Sequence, residues 1–241
     1  MPKKSADLDP GARLENRALP IRPRGLIFDL DGTLADTIAD LAQGVNRILA
    51  RYGFPVHGHE KYKLMVGDGF SNLMRRALPP QAVTDTELFA RVLEDARDSY
   101  NACYLDQTKP YPGMPETLSR LDFMGIRLAV LSNKPHEMAS AMVAALFPGI
   151  RFDDVRGQSP GQALKPDPAT ALAICRKASL EPGLWALVGD SGVDMLTAKA
   201  AGMAGLGAAW GFRGAEELRA AGADAVLYTP PDILSFFQQA S

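Results

Sequence analysis

The chain has 241 residues, an apolar fraction of 46% and a formal net charge of −2 at pH 7. This length accommodates one large domain or a core with a smaller inserted domain, and the charge gives no electrostatic reason to expect nucleic acid or an anionic membrane as partner. There is no apolar run long enough for a membrane helix and no apolar region typical of a signal peptide, so we expect no membrane association.

The amino-terminal segment and the two cysteines suggest no particular chemistry. Residues 1–24 are rich in charge, proline and alanine without clear periodicity, which predicts a flexible tail. Cys103 and Cys175 lie far apart and lack the spacing of metal ligands. We therefore expect two reduced thiols and a cytoplasmic location.

From residue 25 onward, short apolar runs alternate with helical periodicity over much of the chain. Such alternation predicts crossover units and an α/β fold with a doubly wound, Rossmann-like parallel sheet. The predicted strands are residues 25–30, 126–132, 152–155, 185–189, 204–208 and 225–227. The predicted helices among them are residues 114–124, 136–146, 168–178, 195–201 and 215–221.

The region between the first two predicted strands breaks this alternation, because it shows helical patterns and no convincing strand. Apolar residues from Ile38 to Leu49 follow one helix face, opened by Asp36 or Thr37 as cap. Two more helical patterns cover residues 70–78 and 88–104. The predicted organisation is therefore a tail (1–24), an α/β core domain (25–36 and 110–241) and an inserted all-helical cap domain (37–109). A cap inserted at this point should act as a lid over the carboxyl edge of the sheet.

Two carboxylates lie at the carboxyl end of the first predicted strand, in the sequence Phe28-Asp29-Leu30-Asp31-Gly32-Thr33-Leu34. Open α/β sheets bind ligands at the carboxyl ends of their strands. One acid of such a pair can attack the substrate or bind a metal while the other moves a proton. Asp-Gly sequences also form ordinary turns, so the pair alone leaves a purely structural explanation open.

Polar side chains follow three further segments of the predicted sheet. Ser132 and Asn133 come at the end of the second strand, and Lys165 lies in a loop stiffened by prolines. Asp190 follows another strand, and Asp194 comes four residues later. If Ser191 begins a helix, both of these acids face its amino end.

This set of residues matches the needs of phosphoryl transfer. Enzymes accelerate phosphate-monoester hydrolysis by up to ~10²¹-fold, roughly 28 kcal/mol, so several groups must act together. Carboxylate ligands such as Asp29 and Asp190 favour a hard ion, and we expect Mg²⁺ as cofactor. Lys165 can offset phosphoryl charge, and Ser132 can donate to the phosphoryl oxygens. Asp29 as nucleophile would form an aspartyl-phosphate, with Asp31 moving the proton.

These motifs, in this order, resemble the haloacid dehalogenase superfamily of phosphohydrolases. The pattern of that family is Asp-x-Asp-Gly-Thr-Leu, then Ser or Thr, then Lys, then Gly-Asp-x-x-x-Asp. The likeness runs from about Leu26 to the carboxyl terminus, and the helical insertion resembles the subgroup with a small helical cap. Within that subgroup the chain is most similar to the phosphoglycolate phosphatases. The segments that carry this closer match are residues 33–37, 66–69, 111–113, 132–136, 165–168 and 210–213.

The resemblance implies a role for each matched residue. Asp29 would be nucleophile and metal ligand, and Asp31 would be acid/base and a ligand through its backbone carbonyl. Asp190 would also ligate Mg²⁺, and Asp194 would support Lys165 or a metal-bound water. The residues implied to bind the phosphoryl group are Thr33, Ser132, Asn133 and Lys165.

The leading hypothesis is a Mg²⁺-dependent phosphatase of small phosphorylated metabolites, as monomer or homodimer, with 2-phosphoglycolate as the best single substrate candidate. A substrate carboxylate would need a cation near the site. Candidates in the sequence are Lys63, Arg75, Arg76 and Arg213. The segment 66–69, which has two glycines, is either a place where backbone N–H groups approach a substrate anion or a plain loop.

Other functions remain open at this point. Related enzymes with near-identical core motifs act on pyrophosphate, nucleotides or sugar phosphates. A phosphomutase of the same superfamily would use the same acids, but it would typically have Gly-Val where this chain has Gly32-Thr33. A non-enzymatic phospho-aspartate signalling module would lack a helical insertion after the acids.

Overall fold

The computed structural model describes residues 22–237. The predicted tail, residues 1–24, thus lies outside the described residues except at its last three positions. Within this range the strands are β1 (Gly25–Phe28), β2 (Ala35–Asp36), β3 (Lys109–Pro110), β4 (Arg127–Pro135), β5 (Asp154–Gln158), β6 (Trp185–Gly189), β7 (Ala204–Ala208) and β8 (Ala225–Leu227). The α-helices of the same range are α1 (Ile38–Arg51), α2 (His59–Met65), α3 (Phe70–Ala77), α4 (Pro80–Thr84), α5 (Thr86–Asn101), α6 (Met114–Phe123), α7 (His136–Leu146), α8 (Ala169–Ala178), α9 (Gly192–Ala201) and α10 (Gly214–Ala220).

Six strands form one parallel sheet in the order β5-β4-β1-β6-β7-β8. From β1 the chain continues to β4 and β5 on one side, and it then returns to the other side of β1 to form β6, β7 and β8. This is the doubly wound arrangement, in which ligands bind outside the carboxyl ends of the strands at the point where the order reverses. That point lies between β1 and β6, and the predicted α/β fold class is confirmed.

Helices cover both faces of the sheet because successive side chains of each strand point in opposite directions. Leu26 and Phe28 of β1 join the buried cluster that includes α6 and α7. Ile27 joins a second cluster with Trp185, α8 and α9. Both faces of the central strands are therefore buried, which explains why their sequences read as continuous apolar runs.

Residues 37–109, named here the helical insert, contain α1 to α5. Helices α1 and α5 pack closely, and a Cβ at Gly44 would lie 2.8 Å from the Cα of Tyr100. The insert begins and ends at an antiparallel pair of two-residue strands, β2 and β3. The sequence did not predict this pair or the short helices α2 and α4, since segments this short carry little periodicity.

Several boundaries differ from the prediction for local reasons. Strand β4 continues three residues past Ser132, so it carries Asn133 and Lys134 as well. Helix α9 begins at Gly192, three residues earlier than predicted, after the cap residue Ser191. Helix α5 ends at Asn101, before the predicted residue 104. Within residues 22–237, no helix combines the length and apolarity that crossing a membrane requires.

Candidate active site

The end of β1 brings the first acid to the point where the strand order reverses. The backbone N–H of Asp29 donates to the carbonyl of Val188 at 2.9 Å, which extends the pairing of β1 with β6 by one residue. The chain then turns at Gly32, whose φ of 83° favours glycine. A Cβ on Gly32 would also collide with the Asp190 carboxylate. The glycine of the acid motif therefore permits both the turn and the close approach of a second acid.

Lys165 joins two of the predicted acids. Its Nζ lies 2.7 Å from Oδ1 of Asp29 and 2.7 Å from Oδ1 of Asp194, and its side chain is 2% exposed. Burial alone would lower the pKa of Lys165, but the two carboxylates raise it above its ordinary value, so the ammonium stays charged. Burial raises the pKa of Asp29 to about 7, against the lowering effect of Lys165.

Asp194 holds Lys165 in place through the start of α9. Its Oδ2 accepts from the hydroxyl of Ser191 at 2.7 Å and from the backbone N–H of Ser191 at 3.2 Å, while Oδ1 accepts from Lys165. The carboxylate is fully buried. Both oxygens of Asp194 are therefore engaged, one by Lys165 and the other by Ser191.

Asp190, Asp29 and Asp194 form one buried acidic cluster, with ligand oxygens within 4.8 Å of one another. Asp190 Oδ2 accepts from the backbone N–H of Phe212 at 2.7 Å. Burial, followed by the charges of Asp29 and Asp194, raises the pKa of Asp190 well above its ordinary value. Among the described residues, Lys165 is the one cation in ion-pair contact with this cluster.

Three carboxylates against one ammonium leave an excess of negative charge in a buried place, which is costly unless a cation balances it. Oxygen ligands are those that Mg²⁺ takes. The residues present therefore fit a divalent ion, for which Asp29 and Asp190 offer carboxylate donors. Asp31 was predicted as a ligand through its backbone carbonyl, and its carboxylate lies outside the acidic cluster.

The carboxylate of Asp31 faces a second buried lysine, to which the sequence had assigned no role. Its Oδ1 lies 3.2 Å from Nζ of Lys134, and that Nζ donates to the hydroxyl of Tyr100 at 2.7 Å. Burial alone would lower the pKa of Lys134, but Asp31 and Tyr100 raise it above its ordinary value. Burial also raises the pKa of Tyr100 to about 12. The ring of Tyr100 stacks on Phe70, with centroids 6.0 Å apart.

The three remaining predicted phosphate ligands occupy different surroundings. Ser132 lines the cavity described below, and its Oγ accepts from the backbone N–H of Lys134 at 3.2 Å. Asn133 accepts from the backbone N–H of Lys165 at 2.8 Å, and its amide donates to the carbonyls of Lys165 and Gly67. Thr33 is fully buried, and its hydroxyl has no hydrogen-bond partner among residues 22–237. Asn133 thus links the Lys165 loop to the helical insert.

A cavity of about 610 Å³ lies between the sheet edge and the helical insert. The core lines it with Asp29, Asp31 and Asp190, and the insert lines it with Phe70 and Tyr100 among others. Gly67 and Gly69 of the predicted glycine segment also line this cavity. The insert therefore covers the edge at which the acids gather, as a lid would.

The four cations suggested for a substrate carboxylate are engaged elsewhere. Lys63 pairs with Glu60, Arg76 pairs with Asp68, and the guanidinium of Arg75 lies 4.5 Å from the ring centroid of Phe89. Arg213 lines the cavity, but donates to the carbonyls of Leu64 and Val66 at 3.1 and 2.9 Å. Its guanidinium therefore ties the core to the insert.

Comparisons with known proteins agree with this geometry. The model of the family "haloacid dehalogenase-like hydrolase" matches residues 26–208. Phosphoglycolate phosphatase 1 of Pseudomonas aeruginosa is 36% identical over 184 residues, covering 75% of this chain and 67% of that protein. Phosphoglycolate phosphatase of Pseudomonas savastanoi pv. phaseolicola is 35% identical over 193 residues, covering 79% and 71%.

A solved structure shares the whole architecture. The crystal structure of a protein from Lactobacillus delbrueckii subsp. bulgaricus has a TM-score of 0.83 at 29% identity. The match covers 90% of this chain and 99% of that one. The chain belongs to the haloacid dehalogenase-like hydrolase family. It is an enzyme, a phosphatase similar to the phosphoglycolate phosphatases, as the motifs predicted.

Proposed function

We propose that the chain is a Mg²⁺-dependent phosphatase that hydrolyses 2-phosphoglycolate, or a close relative of it, through an aspartyl-phosphate on Asp29. One observation carries this proposal. Side chains from separate segments of the chain meet in one buried cluster where the strand order of the sheet reverses. They are Asp29, Lys165, Asp190 and Asp194. The helical insert, residues 37–109, would serve as the cap domain over a core of residues 25–36 and 110–241.

The metal would be held by the carboxylates of Asp29 and Asp190 and by the backbone carbonyl of Asp31. When bound, it would neutralise part of the negative charge of the phosphoryl oxygens. Lys165 supplies a fixed positive charge beside Asp29, and Asp194 fixes the position of that charge. Ser132 would donate its hydroxyl to a phosphoryl oxygen.

The first chemical step would form a covalent intermediate. A carboxylate oxygen of Asp29 attacks phosphorus, and the bond between phosphorus and the alkoxy oxygen of the substrate breaks. Asp31 gives its proton to that departing oxygen, so glycolate leaves as a neutral alcohol at its hydroxyl end. Lys165 keeps the attacking carboxylate in place while charge moves onto the phosphoryl group.

The second step would release phosphate. Asp31, now a carboxylate, takes a proton from a water molecule as the water oxygen attacks the phosphorus of the aspartyl-phosphate. The bond between phosphorus and the Asp29 oxygen breaks, which restores both acids for another cycle. The two acids thus divide the work, since one attacks phosphorus and the other transfers protons.

The choice of 2-phosphoglycolate is supported by the curated relatives that carry the name phosphoglycolate phosphatase. A second candidate is a larger phosphomonoester such as a sugar phosphate, favoured by the cavity volume of about 610 Å³. A two-carbon substrate would fill a small part of that space. A monomer or homodimer in the cytoplasm stays a prediction from the sequence.

The substrate is tested with a panel of phosphorylated metabolites in the presence of Mg²⁺. The expected result is the highest kcat/KM for 2-phosphoglycolate among phosphoglycolate, pyrophosphate, nucleotides and sugar phosphates. A wide lead for a sugar phosphate or pyrophosphate would overturn the substrate assignment and leave the mechanism intact.

The nucleophile is tested by Asp29→Asn, which removes the attacking carboxylate but keeps the shape of the side chain. We expect turnover to fall by at least about 10³-fold, because the covalent route is lost. Circular dichroism should show an unchanged fold. Activity near that of the wild type would remove Asp29 from the nucleophile's role.

A further inference from the structure

The lysine beside Asp31 has donor capacity that the described residues do not use. Lys134 is 8% exposed and lines the cavity. Its ammonium carries three N–H donors. One of them donates to the Tyr100 hydroxyl at 2.7 Å, and the ammonium forms an ion pair with Asp31 Oδ1 at 3.2 Å. At least one donor is therefore available to a group that enters the cavity.

An ammonium in this site can contact two carboxylates at once. Lys165 shows this arrangement, since its Nζ lies 2.7 Å from both Asp29 and Asp194. Lys134 has Asp31 as its one carboxylate partner among the described residues. A substrate carboxylate would complete the same pattern around Lys134.

Distances decide which substrates can reach this donor. Asp31, in its proposed role, lies within hydrogen-bond distance of the departing oxygen, and Lys134 Nζ lies 3.2 Å from Asp31. In a substrate of the form phosphate–O–CH₂–COO⁻, the carboxylate carbon lies only about 2.4 Å from that oxygen, by ordinary bond lengths and angles. A carboxylate at that short distance from the departing oxygen is therefore within reach of the Lys134 ammonium.

Tyr100 fixes the direction of the ammonium. Its hydroxyl accepts from Lys134, and its ring is held against Phe70 of the helical insert at an interplanar angle of 4°. Tyr100 belongs to α5 of the insert, whereas Lys134 belongs to β4 of the sheet. The insert thus takes part in placing a cation that the core supplies.

We infer that Lys134 binds the carboxylate of the substrate, and so selects phosphomonoesters whose carboxylate is attached to the carbon next to the departing oxygen. This inference rests on the proposed function. It names the group that distinguishes 2-phosphoglycolate from phosphomonoesters of similar size that lack a carboxylate.

The test compares two substrates on two variants. Ethyl phosphate replaces the carboxylate of 2-phosphoglycolate by a methyl group and keeps the departing oxygen. Lys134→Met removes the ammonium at similar length. Lys199→Met, at an exposed position of α9, is the matched control. The measured quantity is the ratio of kcat/KM for 2-phosphoglycolate to kcat/KM for ethyl phosphate.

We expect Lys134→Met to lower kcat/KM for 2-phosphoglycolate by about 100-fold, as loss of one partner of a buried ion pair does. The value for ethyl phosphate should fall less than about 10-fold, because that substrate loses only the effect of Lys134 on Asp31. The ratio should stay at the wild-type value in Lys199→Met. Tyr100→Phe keeps the ammonium but removes the hydroxyl that orients it, so it should lower the ratio by less than Lys134→Met does.

An equal fall for both substrates would overturn the inference, because Lys134 would then act only through Asp31. No fall for either substrate in Lys134→Met would overturn it as well. If Lys134→Met fails to fold, the same ratio is measured for Lys134→Gln, which keeps a hydrogen-bond donor but lacks the charge. The same outcomes then support or overturn the inference. A wild-type enzyme that does not prefer 2-phosphoglycolate over ethyl phosphate would instead refute the proposed substrate, whatever the variants do.

Discussion

Lys134 and Lys165 are both buried lysines paired with the acids of the first motif, yet the sequence distinguished only one of them. Lys165 could be predicted from its position in an ordered set of motifs. Lys134 follows Ser132 and Asn133 directly, but the predicted strand stopped at Ser132. Because β4 continues to Pro135, Lys134 lies on the strand and faces the cavity. The role of Lys134 was missed because the periodicity of a sequence predicts the end of a strand poorly.

Asn133 shows a different limit of sequence reasoning. The resemblance implied that it binds the phosphoryl group, and that role stays a prediction. In the structure its amide contacts the backbone of Lys165 and of Gly67. These residues are distant in sequence, so no local pattern could have indicated the contacts. The observed hydrogen bonds show that Asn133 helps to position the loop that carries Lys165.

Asp154 on β5 makes the stability of the protein depend on pH. Burial alone would raise its pKa, but hydrogen bonds from Lys177 and Arg156 hold the pKa below its usual value. The two bonds are 2.9 and 2.8 Å long. A carboxyl group whose pKa is lowered by folding stabilises the folded state at pH values above its pKa in the unfolded chain, about 3.9. This stabilisation is lost as the pH falls through the pKa of the folded state.

We therefore expect Asp154→Asn to be less stable than the wild type at pH 7, and the difference in free energy of unfolding to shrink as the pH falls below about 5 and through the lowered pKa of Asp154. Urea unfolding at several pH values measures it. Asp106→Asn, at an exposed position, is the control and should change stability little. A difference that widens toward acid pH would contradict the account.

At the scale of elements, prediction succeeded where a segment was long and strongly patterned. The central strands and the helices α1, α6 and α7 were predicted near their observed bounds. Their apolar residues repeat regularly over several turns or over a continuous buried run. The short pair β2 and β3 and the helices α2 and α4 were missed, since tertiary contacts rather than local pattern define them.

The contact between α1 and α5 gives a prediction about stability. Gly44 lies buried inside α1, where alanine would gain up to about 1 kcal/mol in helix propensity. A Cβ there would lie 2.8 Å from the Cα of Tyr100, and overpacking of this kind costs about 1–3 kcal/mol. We expect Gly44→Ala to lower the free energy of unfolding by about 1 kcal/mol or more.

Urea or thermal unfolding checks this value, with Arg47→Ala on the exposed side of α1 as control. The control should stay within about 0.5 kcal/mol of the wild type. A displaced α5 would also move Tyr100, so Gly44→Ala should raise KM for the substrate. Greater stability in Gly44→Ala would mean that the two helices separate at little cost.

The whole molecule places its chemistry at a boundary between two parts of the chain. The sheet order brings Asp29 and Asp190 to neighbouring strand ends, and the helical insert closes the space above them. Three core side chains, Asn133, Lys134 and Arg213, donate to the insert. The sequence predicted the sheet and the acids, because the order of motifs carries that information. It could not predict which cations remain free to meet a substrate.

The central claim is that phosphorus is attacked first by the carboxylate of Asp29 and then by water. Each attack inverts the configuration at phosphorus, so two attacks in succession give net retention. The most direct measurement is the stereochemical course of hydrolysis, with a substrate made chiral at phosphorus by oxygen isotopes and sulfur, and with isotopically labelled water. The account predicts net retention in the released thiophosphate, and net inversion would show that water attacks the substrate directly.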